Sequence, residues 1–435
     1  MYKVCLVVPG WHYWANPSRI QPLYELYFAT LIEEKLAEEV EVSIVDTRGL
    51  RQDQRLFHIP KKDLYIYWIP KTGDYTWTRK LVAELKQSYP MAKHAAGGTH
   101  IDIFPDESMK DFDAVMVGPG EGSLLSLIKD AQQNTLQKLY RSDYKDFPFG
   151  DFSFMRRHFL PETAIVNSLL FEKYGKNIRS TCVLFSRGCA FRCKFCVYNV
   201  PSMVQMRSPK SMLEEIQYLK SEYHIDAINL KDEICIPVSR TIAVEYMEAI
   251  GRGKVSWRGQ TTVLGITEEK MALAKKTGCV ELAIGVESAS QQVLDIINKG
   301  ITLDQVRGFI NLARKYDIRI KMCLVFGLPG EPENIVNLTK AFVEETNPDY
   351  VSLSGLDPIP GSDIYNNYKE YGIKYIDQDW EKHAHLMFRF SDYEEVGLPF
   401  EYELSNKWGK TFSREKLAEN TRIMQRYLRE QNKTY

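Results

Sequence analysis

The stretch Ser186-Arg187-Gly188-Cys189-Ala190-Phe191-Arg192-Cys193-Lys194-Phe195-Cys196-Val197-Tyr198 sets three cysteines at the spacing CxxxCxxC. Spacers that short wrap one loop around a single object. Thiolate is the soft ligand that an iron–sulfur cluster needs, and three on one loop hold three irons of a cubane [4Fe-4S] cluster while the fourth iron stays open. A four-cysteine zinc site requires a second close pair. None exists here, because Cys5, Cys182, Cys235, Cys279 and Cys323 are scattered singly. Clustering this tight also argues against three buried thiols that bind nothing.

A chain of 435 residues is expected to form two or three domains. Its 44% hydrophobic and 26% charged residues suit a soluble enzyme with real cores. The formal net charge of −1 offers no basic field for a polyanion, so no nucleic-acid partner is expected. No apolar run approaches the roughly 20 residues of a membrane span, and Met1 to Gly10 reads as a strand leading into a turn, not as a signal peptide. Eight cysteines in so long a chain do not make a secreted disulfide framework. The expected setting is therefore cytoplasmic, reducing and poor in oxygen.

Along the chain, an apolar run from Lys3 to Val8 stops at Pro9-Gly10, a helical period follows from about Pro22 to Leu36, and Val40 to Asp46 is a second strand. The alternation continues through Asp63 to Trp68, Lys93 to Ala96 and Ala114 to Val117. The last two strands run into the glycine-rich turns Gly97-Gly98 and Gly118-Pro119-Gly120-Glu121-Gly122. Such turns admit close backbone approach by a phosphate or nucleotide, and they also serve simply as tight turns. The fold class expected is α/β: a doubly wound Rossmann-like domain over 1–135, a Pro/Gly/Asp-punctuated linker over 136–179, a partial (β/α)6 barrel over 180–365 and a small α-rich C-terminal cap over 366–435. In the barrel segment, polar clusters recur where each strand should end, which is the active face of such an architecture.

The cysteine spacing resembles the signature of the radical SAM superfamily, whose members cleave S-adenosylmethionine reductively. The resemblance implies that Cys189, Cys193 and Cys196 bind the cluster and that Phe195 lies beside the adenine. It also implies that Asp232 and Glu233 accept the SAM ammonium, and that Glu287-Ser288, within Gly285-Val286-Glu287-Ser288, contacts the ligand, Glu287 most plausibly at the ribose hydroxyls. Arg258 is a candidate for the SAM carboxylate, although relatives commonly carry an arginine slightly later, where this chain has Thr262. Gly327-Leu328-Pro329-Gly330-Glu331 is expected to shape a turn near the adenine.

The order of the N-terminal pieces is similar to the cobalamin-binding domain that precedes the barrel in one large subfamily. Gly97, Gly98, Gly118, Gly120 and Glu121 would then lie along the nucleotide tail of the corrin. The DxHxxG motif that supplies a histidine to cobalt is absent; the loop after the first strand reads Gly10-Trp11-His12-Tyr13-Trp14 instead. The expectation is cobalamin held without a protein histidine, with Trp11, Tyr13, Trp14, Tyr67 and Trp68 either walling the corrin or packing the core.

The activity this resemblance implies is cobalamin-dependent methyl transfer to an unactivated carbon of a small molecule, fed by an electron donor such as flavodoxin or ferredoxin. A radical oxidoreductase or cyclase that does not methylate is the alternative. A non-catalytic electron carrier would need no acidic clamp for SAM, and a methylthiotransferase would need three more cysteines in the first domain. His383 and His385, at i and i+2, are read as ordinary side chains, not as an acid–base pair. The substrate itself is not written in the sequence.

Overall fold

The computed structural model describes residues 1–10, 20–150, 154–175, 177–197, 202–383 and 398–434. Its first sheet has six parallel strands: β1 (Tyr2–Val8), β2 (Val40–Asp46), β3 (Leu64–Trp68), β4 (Lys93–Gly97), β5 (Ala114–Val117) and β6 (Leu139–Arg141). Their order is β2-β1-β3-β4-β5-β6, a doubly wound arrangement. β3 is buried at every position and β1 along most of its length, which is why they read as unbroken apolar runs. β6 lies within the polar stretch read as linker; three residues are too few to show a period.

The chain divides into two compact units, residues 1–183 with 206–225, and residues 184–205 with 226–435. In the first, the helix Pro209–Tyr223 presents Glu215, fully buried, to two arginines. Arg157 Nη2 donates to Glu215 Oε1 at 2.6 Å, and Arg207 pairs with the other carboxylate oxygen. A carboxylate removed from water persists when both oxygens are bonded.

The second sheet adds β7 (Ser180–Val183), then, after the short pair β8 (Ser186–Arg187) and β9 (Gln205–Met206), β10 (Ala227–Leu230), β11 (Ser256–Thr261), β12 (Cys279–Glu287), β13 (Arg319–Phe326) and β14 (Tyr350–Gly355). The order β14-β13-β12-β11-β10-β7 gives the expected six strands of a partial barrel, laid down in sequence. Alternation divides its faces: Ile320, Met322, Leu324, Val351 and Leu353 are buried, while Lys321, Cys323, Ser352 and Ser354 are half-buried on the other side.

Beyond the barrel, β15 (Ile373–Ile376) pairs antiparallel with β16 (Phe400–Tyr402), and Ser405–Asn406 pairs with Gly409–Lys410. The segment expected to be α-rich is thus partly strand. Its helix, Arg414–Glu430, returns to β14, where Val351 N–H donates to Lys433 O at 2.7 Å. No helix among the described residues is long and apolar enough to cross a membrane.

Candidate active site

The cysteine loop leaves the sheet through β8 and is closed at its base by the pairing of β8 with β9, reinforced by Arg187 Nε donating to Gln205 Oε1 at 2.8 Å. Three further bonds fix it. Lys194 N–H donates to Ile297 O at 2.9 Å, Lys194 O accepts from Ile364 N–H at 2.9 Å, and Asn298 Nδ2 donates to Arg192 O at 2.9 Å. Inside the loop Cys196 N–H donates to Cys193 O at 3.1 Å, a tight turn. All eight cysteines are free, and Cys189, Cys193 and Cys196 are only half-buried, open enough to receive a group.

No set of three or more His, Cys, Asp or Glu side chains among the described residues converges as one metal ion requires. Three thiolates on one loop are the donor set of a cubane, in which each binds a different iron. Burial raises the pKa of the Cys189 and Cys193 thiols, an effect that positive charge from Lys299 opposes at both.

At the carboxyl end of β12, Glu287 takes the left-handed backbone conformation, φ +69°, where the register against β13 slips between Gly285 and Glu287. A non-glycine residue there is strained, typically by about 1–3 kcal/mol, and such strain collects at ligand sites. The turn sends the carboxylate back over Gly285, whose missing side chain makes the room: a Cβ would collide with Glu287 Oε1 and lie 2.9 Å from Lys299 Nζ. Lys299 Nζ donates to Glu287 Oε1 at 2.7 Å and stands 5.8 Å from the centre of the Phe195 ring. Phe195, Cys193 and Glu287 thereby share one neighbourhood. Ser288 Oγ accepts from Ser290 N–H at 3.2 Å, holding the turn that follows.

Asp232 and Glu233 follow β10. Asp232 is buried and its Oδ1 accepts the backbone N–H of Phe185 at 2.7 Å. Burial pushes Glu233 up to about 7, with Lys231 opposing and Asp232 adding to the shift. Arg258, on β11, forms a buried ion pair with Glu281 of β12, its cross-strand partner. No local pattern joins the two, although Glu281, a charged residue inside the mostly apolar run of β12, signals an inward-facing partner. Lys299 was likewise missed, since a lysine in an Asn-Lys-Gly turn carries no periodic signal.

In the turn after β13, Glu331 Oε1 accepts the N–H groups of Gly327 and Leu328 at 2.9 and 3.2 Å, while Oε2 is buried with no hydrogen-bond partner among the described residues. Burial pushes its pKa up to about 8 against those two bonds. Tyr402 O–H donates to Gly327 O at 2.8 Å, tying the turn to the C-terminal segment. His383 is buried, with Nδ1 2.9 Å from Asp357 Oδ1 and Nε2 2.8 Å from Asp377 O. Both ring nitrogens are thus engaged within the fold. His385 lies outside the described residues.

In the first unit, the turns after β4 and β5 place Gly98 and Gly118 at φ +106° and +94°. A Cβ at Gly97 would lie 2.7 Å from the Trp68 ring, and one at Gly120 would lie 2.7 Å from Trp68 and 3.0 Å from Phe28 Cε1. Trp68 stacks on Tyr24 with ring centres 5.6 Å apart. These glycines thus admit an aromatic wall at the strand ends. Glu121 sits in the first turn of the helix Gly120–Gln132, and Asp102 Oδ1 accepts Gly118 N–H at 2.8 Å, joining the two turns. Tyr67 packs in the core against His94, and His94 and His100 are themselves fully buried. Neither histidine is exposed at the strand ends, and Trp68 is itself buried against Gly97, Gly120 and Phe28. Trp11, His12, Tyr13 and Trp14 lie outside the described residues.

Residues 183–343 match the family model of the Radical SAM superfamily. That segment is a radical SAM domain. The chain is similar to an uncharacterised methyltransferase of Pyrococcus horikoshii, 26% identical over 389 residues and covering 83% of this chain and 81% of that one. An anaerobic magnesium-protoporphyrin IX monomethyl ester cyclase of Cereibacter sphaeroides is 26% identical over 304 residues, covering 65% of this chain and 49% of the cyclase. In fold the chain is similar to the radical S-adenosylmethionine methyltransferase TsrM of Kitasatospora setae, solved with cobalamin and a [4Fe-4S] cluster bound. The TM-score is 0.66 at 19% identity, over 86% of this chain and 79% of TsrM.

Proposed function

We propose that this radical SAM enzyme is a cobalamin-dependent methyltransferase acting on an unactivated carbon of a small molecule. When bound, the cluster supplies the electron that breaks a carbon–sulfur bond of SAM, and the corrin carries the methyl group. Cys189, Cys193 and Cys196 hold the cluster. Asp232, Glu233, Glu287 and Ser288 accept hydrogen bonds from SAM, Phe195 flanks its adenine, and Arg258 belongs to the same inner face. Gly97, Gly98, Gly118, Gly120 and Glu121 line the corrin tail, with Trp68 as part of the wall. The observation that carries the reading is the convergence of Cys193, Phe195 and the strained Glu287 around one half-buried lysine, Lys299.

The half-buried inner face of β13 and β14, with Lys321, Cys323, Ser352 and Ser354, suits a hydrogen-bonding substrate better than a wholly apolar one. The reading further assigns a one-electron donor of the flavodoxin or ferredoxin kind and a cytoplasmic, oxygen-poor setting. The cyclase relative favours one second reading, a radical oxidoreductase or cyclase using the same cluster without methyl transfer.

The test is to purify the protein anaerobically with hydroxocobalamin present and record visible and electron paramagnetic resonance spectra. Stoichiometric corrin without nitrogen splitting from a protein histidine in the cobalt(II) state supports the proposal. A cluster-loaded protein that binds no corrin overturns the methyl-transfer reading in favour of the second.

A further inference from the structure

Lys299 stands in a turn held rigid on both sides. Its own N–H donates to Leu294 O at 2.9 Å, and Asn298 and Gly300 on either side adopt φ of +51° and +71°. The residues just before it, Ile297 and Asn298, make two of the hydrogen bonds that fix the cysteine loop. The ammonium is therefore carried by the same short segment that grips the loop. It is 15% exposed, bonds Glu287 Oε1 at 2.7 Å, and lies over the Phe195 ring face at 5.8 Å. Gly285 leaves the space in which the ion pair sits.

We infer that Lys299 is a positioning residue for SAM cleavage: it holds the Glu287 carboxylate in its strained orientation and sets a fixed positive charge beside the cysteine loop. This rests on the cluster and SAM assignments above. Two consequences follow from its charge and place. A cation beside a cluster favours the more negative, reduced state, and an anion opposes it, so Lys299 and Glu287 pull the reduction potential in opposite directions. Without its cation, the buried carboxylate also loses the hydrogen bond that directs it. A residue that merely filled space would move neither quantity in this pattern.

The experiment uses the full chain with its cluster reconstituted anaerobically, comparing wild type with Lys299→Met, Lys299→Arg and Glu287→Gln. Iron and sulfide content, cluster midpoint potential from a redox titration followed by electron paramagnetic resonance, and SAM affinity by calorimetry are measured for each. Lys299→Met is expected to shift the midpoint to more negative potential and to weaken SAM binding about tenfold, the loss of roughly one charge-assisted hydrogen bond. Glu287→Gln is expected to shift the midpoint in the positive direction, and Lys299→Arg to retain the wild-type midpoint and most of the affinity. Unchanged midpoint and affinity in Lys299→Met, or shifts of the same sign in Lys299→Met and Glu287→Gln, overturn the inference. If Lys299→Met fails to take up a cluster, the sign of the Glu287→Gln shift and the rescue by arginine decide it. A wild-type protein that assembles no cluster would instead contradict the family-based assignments beneath it.

Discussion

Asp232 Oδ1 accepts the backbone N–H of Phe185 at 2.7 Å, across 47 residues of sequence, and so ties the loop after β10 to the chain just before the cysteine loop. The aspartate that the family resemblance assigns to SAM also supports the chain leading into the cysteine loop. Asp232→Ala should therefore lose thermal stability and cluster content as well as SAM affinity. A buried hydrogen bond to a charged group is worth about 1.5–3 kcal/mol. Asp232→Asn keeps an acceptor and should be milder. Melting temperature and iron content check this; an Asp232→Ala protein with full cluster and unchanged melting would show that the bond does not hold the loop.

Replacing Cys189, Cys193 or Cys196 singly with alanine should remove the [4Fe-4S] spectrum and abolish formation of 5′-deoxyadenosine, whereas Cys323→Ala should keep the cluster. Iron and sulfide analysis beside the visible spectrum gives the answer. Loss of the cluster on Cys323→Ala would redraw the ligand set.

Glu287 holds a positive φ that glycine would adopt without strain. Glu287→Gly should thus fold more stably than Glu287→Ala, by about 1 kcal/mol, while both lose SAM affinity. Chemical denaturation separates the pair. Equal stabilities would mean that the backbone relaxes once the carboxylate is gone.

Glu331 has a folded pKa of about 8, above its ordinary 4.5, because burial disfavours its charge. A raised acid pKa contributes stability that is complete below about 4.5 and is lost as pH rises through about 8. Glu331→Gln keeps the acceptor for Gly327 and Leu328 but cannot ionise. The variant should therefore melt higher relative to wild type at pH 8.5 than at pH 5, a difference that no change in the other acids can produce.

The cysteine spacing and the polar ends of the barrel strands were legible because each is local: a run of apolar residues stops and chemistry-bearing residues follow. Strands of the first sheet were legible for the same reason, except Leu139–Arg141, whose three residues carry no period. Gly97 and Gly120 were legible as glycines but not in their cause, since only the fold brings Trp68 against both. The pairs Arg258–Glu281 and Lys299–Glu287 are tertiary, 23 and 12 residues apart in sequence, and no local pattern joins them. The triad of Arg157, Glu215 and Arg207 was hidden likewise, because each member alone reads as an ordinary surface charge.

The central claim is that the loop of Cys189, Cys193 and Cys196 supports reductive cleavage of SAM. Its most direct test is to incubate the anaerobically reconstituted protein with SAM and a one-electron reductant, then measure 5′-deoxyadenosine by mass spectrometry. The account predicts 5′-deoxyadenosine from the wild-type protein and none from Cys189→Ala. A wild-type protein carrying a full [4Fe-4S] cluster that binds SAM but forms no 5′-deoxyadenosine under any reductant would contradict it.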